Sequence, residues 1–318
     1  MKYIDWIDEF EKNLLSLSEE ERAKAKCYYG EMYADMRDGG LSEEQAVAEF
    51  GAPYDAAKKI LEEGVFGAQS GGGKIATFES NGPCDELDFN CSLCSINVEF
   101  YDGDSVKIDY PFLSPTVCEV TQSGGKITVR NNKKVKWKSF KALFGDEKME
   151  YGISVKLPKD LTPDCRINLS AGKMTLGEGS YGKIEAQTDG GAFTARGITC
   201  GDIICATDAG ALELKDIICH RLRAEVNAGR LTAEDLCGSV ADIALNAGSA
   251  DVKRADARRV NVKVSAGSAK LELCGGQSNY DVEVTKTLAK CDLKATDGGR
   301  ERLLKADVAF GALTVNFL

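Results

Sequence analysis

Residues 227–248 read NAGRLTAEDLCGSVADIALNAG, a segment that begins and ends with the same Asn-Ala-Gly triplet. The glycines of this triplet belong to a series with a fixed interval of 19 residues. Each glycine follows Ala or Gly and, before that, Ser, Asp or Asn; the series is Gly172, Gly191, Gly210, Gly229, Gly248 and Gly267. A chain that repeats its pattern at such a period stacks the repeats as coils. The interval therefore predicts a solenoid.

Apolar residues between the glycines fall into columns with the same interval. One column reads Phe193, Leu212, Leu231, Ala250 and Ala269; another reads Ile184, Ile203, Leu222, Ala241 and Val260. Apolar and polar residues alternate in each half of the repeat, which indicates strands with one buried face. We predict a mainly β protein, a parallel β-solenoid of about 19-residue, two-strand coils that is regular over residues 169–275. The glycines are expected at corners with positive φ.

The first 64 residues have a helical period instead. Apolar residues recur at spacings of three and four at Ile4, Ile7, Phe10, Leu14 and Leu17. Ser42 followed by Gln45 is a capping-box pattern. We predict a small all-α domain over residues 1–64 and, from its Gly and Ser content, a linker at residues 65–74. Period-two alternation then predicts that the solenoid spans residues 75–318.

Charge and composition exclude several classes of function. The net charge is −10, and residues 1–64 hold 16 Asp and Glu against 8 Lys and Arg, a net of −8. An acidic surface repels phosphate, so no nucleic-acid partner is expected. The sequence has no apolar run that could span a membrane and no secretory signal pattern, which predicts a cytoplasmic protein. Its 12 cysteines are then expected to stay reduced.

The repeat also supplies candidate chemistry. The turn column could bind calcium through side-chain oxygens, but capping of backbone amides at each corner is favoured; its members are Ser170, Asp189, Asp208, Asn227, Asn246 and Ser265. Cys91 and Cys94 form a lone C-x-x-C and are predicted on opposite faces of a strand. Cys200 and Cys219 are one coil apart, which favours a column of small buried side chains.

No catalytic constellation emerges from these residues. The single histidine, His220, has no nucleophile elbow around it. Carboxylates such as Asp202, Asp216 and Glu234 are interpreted as solvated residues on the coil faces. We therefore predict that the protein is not an enzyme and needs no cofactor or metal.

A Lys-rich segment before the regular coils is the candidate interaction site. Its basic residues are Lys133, Lys134, Lys136, Lys138 and Lys141, interleaved with Trp137, Phe140 and Phe144. Such a segment could bind an acidic membrane surface, a nucleic acid or the acidic helical domain of the same chain. The alternative is a solvated excursion with its aromatic rings packed on the solenoid. Membrane association through this segment therefore stands beside the cytoplasmic prediction.

Two family resemblances cover nearly all of the chain. Residues 1–64 resemble the HAAS signalling domain through four elements: Leu17 to Arg22, the pair Tyr28-Tyr29, Gly40-Leu-Ser-Glu-Glu44 and Gly51-Ala-Pro53. Residues 75–318 resemble the bacterial putative-adhesin domain of unknown function, with Val155-Lys-Leu-Pro158 followed by Asx/Ser-Ala-Gly coils. The first resemblance implies signalling through PadR-like regulators or membrane-anchored partners, with Tyr28 and Tyr29 as candidate contacts. The second implies a β-solenoid without an established activity.

Together these observations favour a non-enzymatic interaction or signalling protein. The helical module would bind a regulatory partner, and the solenoid would act as a platform. One alternative is an adhesin-like envelope or surface protein. A second is a carbohydrate-active solenoid enzyme, which needs a cleft with two carboxylates about 5–10 Å apart. An exposed terminal coil could also pair edge to edge, so oligomers are an open alternative.

Overall fold

The structure is a computed structural model that describes residues 1–17, 19–38, 40–63, 75–92, 94–111, 118–131, 152–296 and 298–318. It contains two compact units, a helical unit in residues 1–63 and a β unit whose first strand begins at Ile75. The predicted linker at residues 65–74 lies outside the described residues. The mainly β solenoid with a small helical N-terminal region is confirmed.

The helical unit consists of short capped helices. They are α1 (Tyr3–Lys12), α2 (Glu19–Asp38), α3 (Glu43–Phe50) and α4 (Pro53–Glu63). Ser42 and Gln45 form the predicted capping box at the start of α3, and this helix ends at Gly51 with φ +71°. None of the described helices is both long and apolar enough to cross a membrane.

Aromatic rings fill the core of the helical unit. Trp6, Phe10, Tyr29 and Phe50 pack with ring centroids 4.7–5.2 Å apart. The indole nitrogen of Trp6 donates a hydrogen bond of 2.8 Å to the carbonyl of Gly51, which ties α1 to the end of α3. Ile4, which its spacing places on the buried face, is 60% exposed instead.

The β unit is one hydrogen-bonded sheet wound into coils. Before the regular coils its strands are β1 (Ile75–Glu79), β2 (Glu86–Cys91), β3 (Cys94–Tyr101), β4 (Lys107–Pro111), β5 (Cys118–Ser123), β6 (Lys126–Asn131), β7 (Gly152–Pro158), β8 (Asp164–Leu169) and β9 (Gly172–Leu176). They continue as β10 (Gly179–Thr188), β11 (Ala192–Thr207), β12 (Ala211–Val226), β13 (Arg230–Leu245), β14 (Ser249–Val264) and β15 (Ser268–Leu273). A 3₁₀ turn (Gln277–Asn279) precedes β16 (Tyr280–Lys286), β17 (Lys290–Cys291), β18 (Arg302–Val308) and β19 (Ala312–Phe317).

Each regular coil has three straight segments rather than the two predicted. From β10 to β14 the paired residues of successive coils differ by 19, but pairing lapses at positions such as Asp216 and His220. Buried residues change parity at these two breaks, so each break is a corner. At the first corner the backbone is left-handed in every coil: Gly197, Asp216, Asp235 and Arg254 have φ of 65°, 53°, 55° and 52°. The short middle segment between the corners went undetected in the sequence.

The repeating glycines are needed for close stacking, and the predicted positive φ is wrong for most of them. Only Gly172 has positive φ, at 119°. At Gly210, Gly229, Gly248 and Gly267 an added Cβ would lie 2.0–2.5 Å from the carbonyl oxygen of the preceding glycine in the column. Real Cβ atoms do not approach backbone oxygen so closely. The column therefore excludes side chains because neighbouring backbones touch.

Both ends of the solenoid stack out of sequence order. At one end β2 lies between β6 and β8, and β3 lies between β7 and β9. At the other end β18 lies between β14 and β16, and β19 lies between β15 and β17. Although residues 281–284 resemble residues 261–264 in sequence, β16 is therefore not the direct neighbour of β14. The later strand β18 lies between β14 and β16 instead.

Candidate functional site

A cleft of about 960 Å³ opens near the C-terminal end of the solenoid. We call it the arginine cleft and define it by Arg258, Arg259, Asp281, Glu283, Arg300 and Glu301, which all line it. These side chains come from β14, β16 and the segment before β18. The out-of-order stacking of the last coils is what brings these three parts of the chain together.

The sheet register fixes the spacing across the cleft. One outward row runs Val240, Arg259, Leu303, Asp281 across β13, β14, β18 and β16. Adjacent strands lie about 4.8 Å apart, so the Cα atoms of Arg259 and Asp281 are roughly 10 Å apart. Arg259 and Asp281 thus stand on opposite sides of Leu303, and all three residues line the cleft.

Arg259 has no acidic partner because its neighbour Asp242 is fully engaged. Asp242 accepts hydrogen bonds from Arg221 (2.6 and 3.1 Å) through one oxygen and from Asn261 (2.6 Å) through the other. Burial opposes ionisation of Asp242, but these two donors outweigh it and lower its pKa. Within the part of the chain that the structure describes, Arg259 makes no ion pair or hydrogen bond.

Arg258 is left without a partner for the same kind of reason. Asp256 is held by Arg302 at 2.6 Å. Arg302 is in turn fixed against Tyr280, to whose hydroxyl oxygen it donates at 3.3 Å, and this contact followed by that with Asp256 raises the pKa of Arg302. Among the described residues nothing pairs with the guanidinium of Arg258. Two adjacent, uncompensated positive charges therefore line one side of the cleft.

The opposite side of the cleft is rich in hydrogen-bond acceptors. Asp281 accepts from the backbone N–H of Arg300 at 2.9 Å, while its other oxygen is buried without a partner among the described residues. Arg300 donates to the carbonyl of Tyr280 (2.6 Å) and the hydroxyl of Thr296 (2.7 Å). Glu283 pairs with Lys305 at 3.1 Å. This side is therefore rigid and carries free acceptor capacity.

The interaction residues predicted from the sequence are only partly visible. The Lys-rich segment, with Lys133, Lys134, Lys136, Trp137, Lys138, Phe140, Lys141 and Phe144, lies outside the described residues. The backbone of Tyr28 lies in α2, but its side chain is not among those that the structure describes. Tyr29 is only 9% exposed and packs in the aromatic core, so it offers little surface to a partner.

The polar turn column forms a ladder between coils. Asn227 donates to Asp208 at 2.6 Å, and Asn246 donates to Asn227 at 2.5 Å. The side chains thus bond to one another from coil to coil, which differs from the expected capping of backbone amides. Among the described residues, no group of three or more His, Cys, Asp or Glu side chains is placed to hold a metal ion.

Three of the four paired cysteines are buried in the solenoid, namely Cys91, Cys94 and Cys219, whereas Cys200 is partly exposed. Cys91 and Cys94 both face the core because the corner between β2 and β3 falls between them, so the prediction of opposite faces is wrong. Hydrogen bonding with Cys94 and burial raise the pKa of Cys91. Cys200 and Cys219 are aligned neighbours on β11 and β12, as predicted. A thiol with a raised pKa, such as that of Cys91, is a poor nucleophile, which suits a structural role. The hydrogen bond with Cys200 lowers the pKa of Cys219 instead.

Sequence reasoning missed the arginine cleft. The signal available was the doublet Arg258-Arg259 in a chain whose other coils place His220-Arg221 and Ser239-Val240 at the same step of the repeat. Asp256, two residues before Arg258, and Asp242, on the preceding coil, are acids that the sequence offers as partners for the doublet. Only the three-dimensional register shows that both acids are occupied by other residues.

The chain is similar to proteins of known structure and to one family model. The solenoid is similar to a structure described as a putative adhesin from Bacteroides fragilis, with 13% identity, a TM-score of 0.46, and coverage of 76% of this chain and 97% of that one. It is also similar to a structure described as a putative lipid binding protein from Parabacteroides distasonis, with 13% identity, a TM-score of 0.47, and coverage of 78% and 98%. No curated protein matches the chain significantly. The Toastrack DUF4097 family model matches residues 84–298, which is 215 of the 318 residues. The chain therefore belongs to the Toastrack DUF4097 family.

Proposed function

We propose that this chain is a non-enzymatic interaction protein in which the helical unit binds a regulatory protein partner and the solenoid is a rigid platform. The observation that carries the proposal is an outward apolar pair on α4. Tyr54 and Leu61 are 61% and 39% exposed, whereas Ala56 and Ala57 on the same helix are buried. Residues seven apart lie on one face of a helix, so Tyr54 and Leu61 can meet a partner together.

The charge of the helical unit and its resemblance to the HAAS domain support the same proposal. The net charge of −8 over residues 1–64 would steer a basic surface of the partner toward the unit. The closed aromatic core supports a preformed surface, which loses little entropy on binding. We place the interaction in the cytoplasm.

The solenoid suits the role of a platform because its coils are tightly coupled. Every regular coil pairs with its neighbours along all three segments, and the asparagine ladder and glycine column add contacts at the corner. Coils that are hydrogen-bonded to their neighbours along all three segments resist bending. It can therefore hold a bound partner in a fixed orientation.

Capture of partners by the full chain in cells tests the proposal. Lysine-directed crosslinking of the native protein, followed by mass spectrometry, should recover one dominant protein attached near α4. The double substitution Tyr54→Ala and Leu61→Ala should abolish that crosslink. The matched control, Ile4→Ala with Leu15→Ala, changes two exposed apolar residues outside α4 and should preserve it. Equal recovery with both double variants would refute the proposal.

A carbohydrate-active enzyme is a second candidate, favoured by one feature of the cleft. Asp281 and Glu283 line it from alternate positions of β16, so their Cα atoms are roughly 7 Å apart. Two carboxyl groups on the same face of one strand can reach the separation of about 5–10 Å that glycosidases use. Glu283, however, is largely exposed and paired with Lys305, so it lacks the apolar surroundings of a typical catalytic acid. Release of reducing ends from oligosaccharides, lost in Asp281→Asn, would support hydrolysis; no release would exclude it for the substrates used.

A further inference from the structure

We propose that the arginine cleft is a binding site for a sugar that carries an oxyanion, either a carboxylate or a phosphate group. The inference goes beyond the proposed partner of the helical unit and does not depend on it. It rests on the guanidinium groups of Arg258 and Arg259 and on the hydrogen-bond acceptors opposite them. It also rests on the contacts of Arg300 and Arg302 that hold the two sides of the cleft in place.

The guanidinium groups of Arg258 and Arg259 select the anionic part of the ligand. Two adjacent positive charges repel each other, and within the described residues neither is neutralised, because Asp242 and Asp256 serve other donors. A guanidinium presents a planar fork of donors that matches the two oxygens of a carboxylate or phosphate. An oxyanion between the two arginines would remove their repulsion and form charge-assisted hydrogen bonds.

The acceptors on the other side select the rest of the ligand. Asp281, with its unpartnered oxygen, lines the cleft together with the carboxylate-bearing Glu301 and the hydroxyl-bearing Ser239. These groups need donors, and a buried acceptor without one is costly. Sugar hydroxyls supply donors in the required number, whereas an acyl chain supplies none. The polar lining thus favours a hydroxylated frame attached to the anion.

The frame of the cleft is held in place before any ligand binds. Arg302 is fixed by Asp256 and by the ring of Tyr280, 5.7 Å from its guanidinium carbon, and Tyr280 is fully buried. Arg300 ties the segment before β18 to β16 through Tyr280 and Asp281. A preorganised site spends little of its binding energy on ordering. The volume of about 960 Å³ lies at the upper end of the range for small-molecule sites.

Isothermal titration of the full chain tests the inference. The probes are tri-galacturonic acid for the carboxylate, glucose 6-phosphate for the sugar phosphate, maltotriose as a neutral sugar, and inorganic phosphate. We expect saturable binding of tri-galacturonic acid or glucose 6-phosphate, and the one that binds identifies the anion. Maltotriose and inorganic phosphate should each bind at least about tenfold more weakly, because each lacks one half of the contacts.

Variants locate the binding in the cleft. The double substitution Arg258→Gln with Arg259→Gln should weaken binding by about tenfold or more, and Arg259→Lys should have an intermediate effect because it keeps the charge and loses the fork. The control, Arg196→Gln with Arg223→Gln, removes two charges whose arginines pair with Glu213 and Glu225 elsewhere on the solenoid. It should bind like the unaltered chain. Unchanged melting temperatures would confirm that the variants fold.

Three results would overturn the inference. The first is the absence of saturable binding for both anionic sugars. The second is equal weakening by the cleft variant and the control variant, which would mean nonspecific attraction to positive charge. The third is binding of maltotriose as tight as that of the anionic sugars, which would make the arginines irrelevant to recognition.

Discussion

Gly229 sits so close to Gly210 of the preceding coil that a Cβ at position 229 would lie 2.1 Å from the carbonyl oxygen of Gly210. We therefore expect Gly229→Ala to lower the free energy of unfolding by about 1–3 kcal/mol, because the corner must open to admit the methyl group. Urea denaturation followed by circular dichroism measures the change.

Gly190 provides the control for this substitution. It occupies the same turn region, but its added Cβ would meet Ser170 only at 3.8 Å, an ordinary contact. Gly190→Ala should therefore leave stability nearly unchanged. Equal destabilisation by both substitutions would show that backbone stacking is not what requires glycine in the column.

The left-handed corner gives a second prediction. Asp216 has φ 53°, a conformation in which β-branched side chains are strained. Asp216→Val should destabilise the protein by about 1–2 kcal/mol, whereas Asp216→Gly should not. Thermal unfolding compares the two. A similar melting temperature for both variants would contradict the assigned backbone conformation.

The ladder at the turn gives a pH-dependent prediction. Asn227→Asp would place a carboxylate beside Asp208, to which Asn227 now donates at 2.6 Å. Like charges raise the pKa of the new carboxyl in the folded state above its unfolded value, so the variant should be destabilised at pH 7 and recover as the pH falls below about 4.

Asn246→Asp is the matched control for the ladder. Its neighbours in the column are Asn227 and Ser265, which carry no charge. Chemical denaturation at pH 7 and pH 4 should show a larger pH effect for Asn227→Asp than for Asn246→Asp. Equal pH effects would mean that the side chains of the ladder do not interact between coils.

The ion pairs of Arg254 with Glu234 and Asp235 predict the opposite pH dependence, a loss of stability as the pH falls. Hydrogen bonds from Arg254 lower the pKa of Glu234 and Asp235. A pKa lowered by folding contributes stability that is present above the unfolded pKa and lost as the pH falls through the folded pKa. Glu234→Gln with Asp235→Asn should thus be less stable than the unaltered chain at pH 7, and the difference should shrink below about pH 4.

Salt provides a second measurement for the same ion pairs. These side chains are exposed, so screening should reduce the difference between the variant and the unaltered chain at 1 M NaCl. A difference that is unaffected by both pH and salt would show that the ion pairs contribute nothing to stability.

The sequence pattern was informative wherever one interaction repeats. The columns through Leu212, Leu231 and their neighbours predicted the core because burial at one step of a coil imposes the same choice on the next coil. The short middle segment was missed because its inward residues include Cys219, Gly238 and Ala257, which give a weak hydrophobic signal. The left-handed corner could not be recognised in the sequence because only Gly197 among its four residues is a glycine; the others are Asp216, Asp235 and Arg254.

The cleft could not be predicted because it depends on pairing choices between distant residues. Asp242 could in principle serve Arg221 or Arg259, and only the folded geometry shows that it serves Arg221. The position of β18 between β14 and β16 is equally hard to predict from the sequence. Residues 281–284 resemble residues 261–264, which suggests that β16 pairs directly with β14. Local sequence patterns predict which residues are buried, but they do not predict the order in which the strands stack.

The out-of-order ends change how the solenoid should respond to thermal fluctuations. In a simple repeat protein the last repeat can fray alone, because it touches only the repeat before it in sequence. Here β16 and β17 pair with β18 and β19, and the chain enters them from β15 and leaves them to β18, two strands that lie further inside the stack. We infer that this end layer opens as a loop held at both ends, so its amide hydrogens should exchange with solvent more slowly than those of a free terminal repeat.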